Sequence, residues 1–419
     1  MTQLSSPAAP EPDSSSPGVL RRVAAAFAYR DFRVLWFGAF TSSVGTWMQA
    51  VAQSWLVLTL TGSALFLGLD AFLGQLPIML FSLIGGVVAD RRDRRSLLLI
   101  SQCVQMASAF ALAGLVFADV VRIWHILCLS FISGCAQAFG GPAYQSLVPS
   151  LVQKKDLTNA IALNSIQFNL ASVIGPMLAG IALATLGTVA CFTLNGLSFL
   201  AVIVALLSLR VVHTAPTTSQ PLLRELRGGI SYVWNELTLS ALTTLAFATT
   251  FLGMSLRTLL PLFAKDVFHG GVREYSQMMV FVGAGAVAGA LVVAALGRVR
   301  RMGRTALIVQ IVYGVLILGF AASRTIWLSD ALLFLAGSAL MVVFSSVTSL
   351  VQLIVPNEMR GRVMSIYMLA FRGGMPLGAL ASGYVATLTS APIALAINGT
   401  LLAIVALWFL RRNERIREI

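Results

Sequence analysis

Twelve apolar stretches, separated by short polar segments, take up most of this 419-residue chain. A helix that crosses the hydrocarbon core of a bilayer needs about 20 mostly apolar residues, and every stretch is close to that length or longer. The sequence therefore predicts an all-α membrane protein with twelve transmembrane helices. We place them at 33–60, 64–89, 96–118, 123–148, 160–184, 187–209, 238–263, 276–296, 305–322, 326–352, 362–388 and 391–410.

The composition agrees, because it leaves too few charges to cover a water-soluble surface. Hydrophobic residues make up 58% of the chain and charged residues 11%, whereas soluble proteins average about 45–50% apolar and about 25% charged residues. The net charge of +13 does not indicate a nucleic-acid-binding protein, because the basic residues form short clusters between the apolar stretches. Such clusters are typical of loops on one side of a membrane.

The distribution of Lys and Arg predicts the orientation of the chain. If the N-terminus is placed in the cytoplasm, the inner segments contain 23 of the 29 basic residues and the outer loops contain four. The other two, Arg257 and Arg372, fall inside predicted helices. Because cytoplasmic loops carry the excess of basic residues, we expect both termini to be cytoplasmic.

The longest inner segment, 210–237, divides the chain into two predicted six-helix bundles, 21–209 and 238–410. Val148-Pro149 in the first half returns as Val355-Pro356 in the second, 207 residues later. Parallel repeats related by an axis along the membrane normal are a transporter architecture. The sequence thus predicts two similar halves joined by a cytoplasmic linker.

Three segments lie outside the predicted bundles. Residues 1–20 contain four prolines and many serines, so they are predicted to be a disordered cytoplasmic tail. Within the linker, 221–235 could form a helix on the membrane surface. Residues 411–419 are predicted to be a basic cytoplasmic tail.

The segment that follows the second apolar stretch reads GVVADRRDRR over residues 86–95. It resembles the signature loop of the major facilitator superfamily, although Asp93 stands where that loop usually has a second glycine. Residues 29–63, 158–180 and 356–369 resemble the branch of this superfamily that contains the enterobactin exporter and related bacterial secretion proteins.

This resemblance implies the major facilitator fold, in the cytoplasmic membrane of a bacterium, and a function. The implied function is proton-coupled export of a small amphipathic molecule, siderophore-like or drug-like, by alternating access. The partners would be the substrate, protons and the lipid bilayer, and the protein would act as a monomer without a cofactor. Uptake of a small metabolite is the main alternative. A membrane receptor that does not transport is a less favoured one.

The resemblance also assigns roles to the signature loop. Asp90 is expected to face the cytoplasmic start of the eleventh helix, because a helix N-terminus stabilises a carboxylate by about 0.3–1 kcal/mol. Asp90 would then form a conformational latch between the halves, together with Gly86, Arg91, Arg94 and Arg95. The alternative is that the basic residues only determine topology.

Gly175, Pro176 and Gly180 form a second motif, in the fifth apolar stretch. Proton-coupled drug exporters of the superfamily carry a Gly-Pro pair with flanking glycines at this place, and here Ala171 and Ala179 replace two of those glycines. The resemblance implies a kinked helix with a part in export. The alternative is an ordinary kinked helix that packs closely on its neighbours.

Three ionisable residues lie at membrane depth, where charges are costly and often functional. Asp70 and Arg257 lie near the outer ends of helices in opposite halves, so an ion pair between them could close the outer side until Asp70 is protonated. Alternatively, each side chain reaches the interface separately. Arg372 is near the midplane and is expected to face the central cavity. There it holds an anionic group or pairs with Asp70, unless it only bonds backbone carbonyls.

Polar residues form stripes on the predicted helices. The resemblance implies that the first, fourth, seventh and tenth helices line the substrate path, and the polar spacing puts each set on one helical face. The alternative for each stripe is a hydrogen-bonded seam between helices. Besides the three charged residues, the candidate pathway residues are Thr46, Gln49, Gln53, Gln137, Tyr144, Ser345 and Ser349.

The sequence shows no pattern typical of an enzyme or a metal site. We find no serine-nucleophile motif with partners, no phosphate-binding loop and no His, Asp or Glu cluster with metal-ligand spacing. We therefore expect no catalytic residue, metal or cofactor. The four cysteines lie in apolar stretches and are expected to be packing residues. Asp119 and Asp330 fall at outer helix ends and are expected to be solvated.

Overall fold

The computed structural model describes residues 25–209, 230–296, 301–356 and 358–418, without the side chains at positions 90, 296 and 416. All regular structure in this part of the chain is helical. The predicted tail at 1–20 and residues 210–229 of the predicted linker lie outside the described residues. Residues 230–235, at the end of the predicted surface helix, are helical.

The long helices follow the predicted apolar stretches to within a few residues. They are α1 (Arg30–Thr61), α2 (Ala64–Arg91), α3 (Arg94–Phe117), α4 (Ile123–Leu147), α5 (Leu157–Thr185), α6 (Gly187–Ser208), α7 (Leu237–Val267), α8 (Val272–Leu296), α9 (Met302–Ala322), α10 (Ile326–Ile354), α11 (Arg360–Leu388) and α12 (Ala391–Arg412). Short 3-10 helices at Ala25–Ala28, Val148–Leu151 and Lys154–Asp156 and a last helix, α13 (Glu414–Glu418), complete the described secondary structure.

Eleven of the described helices, α2 to α12, are long and apolar enough to cross a membrane. The first helix has 32 residues, but Thr46, Gln49 and Gln53 lie along it and lower its mean hydropathy. Twelve crossings therefore stay a prediction. Polar side chains in a helix of this length are expected where the helix faces other helices instead of lipid.

The same helix pairs pack together in the first six and in the last six long helices. The pairs α1–α5, α2–α4 and α3–α6 correspond to α7–α11, α8–α10 and α9–α12. Between the two sets, α2 packs along α11 and α5 packs along α8. These two cross-contacts are also equivalent under the repeat, because α2 corresponds to α8 and α11 to α5.

The two ends of the helix bundle differ in charge. We call the end at which α1 begins and α12 ends the arginine-rich end, because Arg30, Arg33, Arg94, Arg95 and Arg412 lie there. We call the other end of the bundle, at which α1 ends and α12 begins, the opposite end. The hydroxyl of Tyr29 donates to Oδ2 of Asp156 at 2.7 Å at the arginine-rich end. This hydrogen bond raises the pKa of Tyr29 and ties the start of α1 to the start of α5.

The seam between α2 and α11 is closed at the opposite end and open at the arginine-rich end. Gly68 of α2 packs directly on the backbone of α11, where Gly383 lets the two backbones approach. The backbone amide of Leu65 also donates to Oγ1 of Thr387 at 3.0 Å. At the arginine-rich end, Gly86 of α2 and Gly361 of α11 have no neighbouring atom within 4 Å of the position a Cβ would take. A cavity that α2, α4 and α11 line near this end shows, together with these glycines, that α2 and α11 diverge towards the arginine-rich end.

The seventh helix is irregular, with π-helical turns at Thr249–Gly253 and Phe263–Val267. A π turn contains one extra residue and leaves backbone groups without their α-helical partners. Here the hydroxyl of Tyr313, on α9, donates to the backbone carbonyl of Gly253 at 2.9 Å. A buried tyrosine from a neighbouring helix thus stabilises the first π turn.

Candidate substrate and proton pathway

The carboxylate of Asp70 is buried and held by neutral donors from two other helices. Nε2 of Gln53, on α1, lies 3.0 and 2.9 Å from its two oxygens. The hydroxyl of Ser130, on α4, donates to Oδ1 at 2.5 Å. Asp70 is 9% exposed, so these bonds replace the water that a carboxylate otherwise requires. The structure therefore joins two sequence-predicted positions, Gln53 and Asp70, with Ser130 of α4 into one cluster.

A chain of side-chain hydrogen bonds continues from this cluster to α6. Nε2 of Gln49 lies 3.3 Å from Oε1 of Gln53, and Nδ2 of Asn195 donates to Oε1 of Gln49 at 2.6 Å. The hydroxyl of Ser198 lies 3.1 Å from Oδ1 of Asn195. Each amide in the chain thus both donates and accepts, which fixes the orientation of the Gln53 amide that faces Asp70. We name Asp70, Ser130, Gln53, Gln49 and Asn195 the carboxylate–amide chain.

The predicted ion pair between Asp70 and Arg257 is absent from the structure. Asp70 is already bonded to Gln53 and Ser130 in its own half. The Cζ atom of Arg257 instead lies 5.4 Å from the centroid of the Trp47 ring on α1, a cation–π contact. Its Nε atom is buried and has no hydrogen-bond partner among the described residues. Arg257 on Trp47 is therefore one contact between the halves at this depth, and it needs no carboxylate.

Arg372 lines a cavity of about 210 Å³ that lies among α2, α4 and α11. Met79 and Ser82 line it from α2, Gln145 from α4, and Met368 from α11. Whether this cavity is the predicted central cavity of the substrate path stays a prediction. The alternative pairing with Asp70 is absent, because the hydrogen bonds to that carboxylate come from Gln53 and Ser130.

The other predicted pathway residues divide between seams and open surface. The hydroxyl of Thr46 donates to the carbonyl of Ser42 in its own helix at 2.9 Å. Tyr144 donates to Oδ1 of Asn164, on α5, at 3.0 Å and belongs to an α4–α5 seam. Gln137 is exposed and accepts a bond from Gln105 of α3. Ser345 and Ser349 are half-buried on α10.

The predicted latch residues take several positions at the arginine-rich end. Nη1 of Arg94 donates to the carbonyl of Ser146 at the end of α4, and Nη2 of Arg95 donates to the carbonyl of Leu207 at the end of α6. Cations at helix C-termini compensate the exposed carbonyl groups there. The side chain of Asp90 lies outside the described part of the chain, so its contact with α11 stays a prediction. Asp93 caps α3, accepting from the Ser96 amide at 3.0 Å.

The motif in α5 lies where this helix crosses two others. A Cβ at Gly175 would overlap the backbone of α1 next to Trp47, and Pro176 is buried in α5. A Cβ at Gly180 would meet Ser276 on α8, in the other half of the chain. The motif thus permits two close helix crossings. Its part in export stays a prediction.

A second buried carboxylate was not anticipated from the sequence. The expectation that Asp330 is solvated is wrong, because its exposure is 1%. Nε2 of Gln277, on α8, donates to Oδ2, and Oδ1 has no hydrogen-bond partner in the described part of the chain. A helix end is not necessarily a solvent-exposed position: here the neighbouring α8 covers the first turns of α10.

Proteins of known activity are similar to this chain along most of its length. The multidrug efflux pump Tap of Mycolicibacterium fortuitum is 27% identical over 392 residues, which cover 90% of this chain and 95% of that protein. The enterobactin exporter EntS of Citrobacter koseri is 25% identical over 394 residues, which cover 90% of each protein. The similarity thus extends across both halves of the chain.

A solved structure and a family pattern agree with this similarity. The crystal structure of a bacterial homologue of the human lysosomal transporter Spinster, inward-facing and unoccupied, matches with a TM-score of 0.71 at 13% identity, over 96% of this chain and 98% of that one. At this identity the likeness concerns the fold. The pattern of the transmembrane secretion effector family matches residues 23–418, which confirms the resemblance found in the sequence. The chain therefore belongs to the transmembrane secretion effector family of the major facilitator superfamily.

Proposed function

We propose that this protein is a proton-coupled exporter of a small amphipathic molecule, siderophore-like or drug-like, that works by alternating access. It would act as a single chain in the cytoplasmic membrane of a bacterium. The observation that carries the proposal is the α2–α11 seam, which is closed at Gly68 and Gly383 and open at Gly86 and Gly361. A cavity that opens at one end only is the geometry that alternating access requires.

The same proposal includes twelve crossings with both termini in the cytoplasm. The polar residues of α1 support a crossing, because Gln49 and Gln53 are bonded to other helices and are therefore shielded from lipid. The excess of Lys and Arg supports the orientation. The arginine-rich end would then be cytoplasmic, and the state described here would be open to the cytoplasm. The halves 21–209 and 238–410 would rock about the seams α2–α11 and α5–α8.

Asp70 is the proposed proton site. It is a buried carboxylate at membrane depth, and its hydrogen-bond donors are neutral. A carboxylate that has no counter-ion gains or loses a proton without breaking an ion pair. Because Gln53 belongs to α1, a helix that also contacts Arg257 through Trp47, a change at Asp70 reaches the contact between the halves.

The relatives support export and the broad class of cargo. A multidrug efflux pump and an enterobactin exporter are both similar to this chain over about nine-tenths of its length. Both names describe outward transport of small molecules. Siderophore-like and drug-like amphiphiles are therefore the cargo classes to test first.

The direct test is flux in liposomes that contain the purified protein and an imposed pH gradient. We expect candidate siderophores and amphipathic drugs to accumulate in the acidic compartment, because each cargo molecule exchanges for protons. Asp70→Asn should abolish the accumulation that the gradient drives. Asp119→Asn, an exposed position at the opposite end, is the matched control and should keep it.

Other outcomes would favour the alternatives. Movement of cargo together with protons, out of the acidic compartment, indicates an uptake carrier. Binding without flux indicates a receptor. Gradient-driven accumulation that persists in Asp70→Asn removes Asp70 from the coupling step.

A further inference from the structure

The cavity beside Arg372 carries an inference about the charge of the cargo. It lies where α2 and α11 diverge, and it ends where Met79 approaches Gly373, next to Arg372. Arg372 is the thirteenth of the 29 residues of α11, so it lies far from both helix ends. Its guanidinium is therefore placed deep in the membrane, at the closed end of an otherwise open cavity.

Arg372 has no protein counter-ion among the described residues. No ion pair or hydrogen bond joins it to another side chain in that part of the chain. The two buried carboxylates of the described helices have other partners: Gln53 and Ser130 bond to Asp70, and Gln277 bonds to Asp330. An arginine at this depth is costly unless an anion or oriented dipoles compensate it. An anion that compensates Arg372 can therefore bind in the cavity that this side chain lines.

The other walls of the cavity determine what the anion is attached to. Met79, Met364 and Met368 supply flexible apolar surface, which adapts to varied apolar shapes. Ser82 and Gln145 add two neutral polar groups. The cavity of about 210 Å³ is smaller than the roughly 300–1,000 Å³ of ordinary ligand sites. It therefore fits one anionic group and part of an apolar body, and the remainder of the molecule extends towards the mouth.

We propose that this cavity binds the cargo as an amphipathic anion, whose carboxylate or similar oxyanion is held by Arg372 while its apolar part lies on the three methionines. The inference rests on the proposed function only in taking the cavity as part of the substrate path. An anionic lipid headgroup, which has the same oxyanion chemistry on an apolar body, is the other source of such a ligand.

Binding of matched probes to the purified protein in dodecylmaltoside tests the proposal. Dansylglycine is a carboxylate, dansylglycinamide is its neutral amide, and dansylcadaverine is a cation. We expect the wild-type protein to bind dansylglycine about tenfold more tightly than the amide, because one hydrogen-bonded charge pair contributes at least that factor, and to bind the cation most weakly. Arg372→Gln should remove the preference for the carboxylate and leave the affinity for the amide unchanged. Arg372→Lys should retain part of the preference.

Two controls keep the result interpretable. Arg411→Gln removes an exposed charge at the same end and should leave every affinity unchanged. Repeating the titrations in bilayer discs of phosphatidylcholine alone, and with phosphatidylglycerol, distinguishes the sources of the anion. Competition by phosphatidylglycerol would assign the cavity to a lipid headgroup and overturn the cargo assignment.

Equal affinities of the wild-type protein for the carboxylate and the amide would overturn the proposal without any variant. An equal loss for both probes in Arg372→Gln would overturn it as well, because Arg372 would then only support the fold. These outcomes are separate from the flux test. Transport of cations alone would agree with the proposed function and contradict the anion site. Binding of carboxylates without flux would agree with the anion site and contradict the proposed function.

Discussion

At the scale of single residues, the site is built from neutral side chains around one buried acid. Gln53 contacts both oxygens of Asp70, and its own orientation depends on Gln49 and Asn195. Interhelical hydrogen bonds of this kind contribute about 0.6 kcal/mol on average in membrane proteins, because the alternative partners are also within the membrane. Their main effect here is therefore to position the donors of Asp70 and only secondarily to stabilise the fold.

This arrangement predicts the effect of Gln53→Leu on the pH dependence of transport. The substitution removes two hydrogen bonds to the ionised carboxylate, and such bonds contribute more to the charged form than to the neutral one. Asp70 then takes up its proton more readily, so the pH of half-maximal transport should rise, by about one unit. Transport rates measured in proteoliposomes over a pH series test this. Gln153→Leu, at an exposed position, should leave the midpoint unchanged, and a lower midpoint in Gln53→Leu would contradict the assignment.

The sequence alone identified most of these residues but not their partners. Spacing along a helix put Gln49 and Gln53 on one face, and membrane depth singled out Asp70. Neither criterion could show that all three join in one network, because that depends on how α1 and α2 pack. Asn195 was missed, since a single asparagine in an apolar stretch gives no periodic signal. Asp330 was placed wrongly because its burial is caused by α8.

At the scale of helices, glycines decide where the two halves can touch. A Cβ at Gly383 would lie 2.6 Å from the carbonyl oxygen of Ala64 and 3.1 Å from Cα of Gly68. Both are backbone atoms, which cannot move aside as a flexible side chain can. At the other end of the same helix, Gly361 has open space. The α2–α11 seam thus depends on small residues only at its closed end.

Gly383→Ala and Gly361→Ala form a matched pair on α11 that tests this dependence. We expect Gly383→Ala to separate α2 from α11 and to lower the free energy of unfolding by about 1–3 kcal/mol, as overpacking does. Gly361→Ala should be neutral or gain up to about 1 kcal/mol, because alanine favours the helix over glycine. Thermal unfolding in detergent measures both changes. Equal effects of the two substitutions would show that the seam tolerates a methyl group and is looser than the structure indicates.

The limits of the helices followed from the apolar stretches, but the interruptions of α7 did not. The π turn at Thr249–Gly253 needs a partner for the carbonyl of Gly253, and that partner is Tyr313, sixty residues further along the chain. The sequence of α7 alone therefore cannot predict this π turn, because the partner that stabilises it belongs to another helix. The partners of the polar residues on α1 could not be predicted either, because they belong to α2, α4 and α6.

At the scale of the whole molecule, the two halves are similar in packing but different in charge. The first half contributes the carboxylate–amide chain, and the second contributes Arg257 and Arg372. The halves meet through Trp47 and Arg257 and, at the opposite end, through the closed α2–α11 seam. This distribution places the proposed proton site and the proposed anion site on different halves. Rocking of the halves then changes the distance between the two sites.

Accessibility to a membrane-impermeant maleimide tests which side the cavity faces. In a variant without native cysteines, Ser82→Cys should react several-fold faster in inside-out than in right-side-out vesicles, because the cavity that Ser82 lines opens at the proposed cytoplasmic end. Ser276→Cys should react slowly in both, since Ser276 is 3% exposed and packs on Gly180. Faster labelling of Ser82→Cys from the outside would reverse the proposed orientation.

The two π turns of α7 lie on either side of Arg257, and each contains one residue more than an α-helical turn. Each successive residue of an α-helix turns the chain by about 100°, so a π turn that reverts to α-helical geometry must rotate the adjoining segment of the helix by that amount. If the extra residue passes from the turn at Thr249–Gly253 to the turn at Phe263–Val267, the segment between them twists while the ends of α7 remain seated. The segment between the two π turns can then rotate about the helix axis while the segments on either side of it keep their packing. One such twist would carry the guanidinium of Arg257 off the ring of Trp47 and would break this contact between the halves.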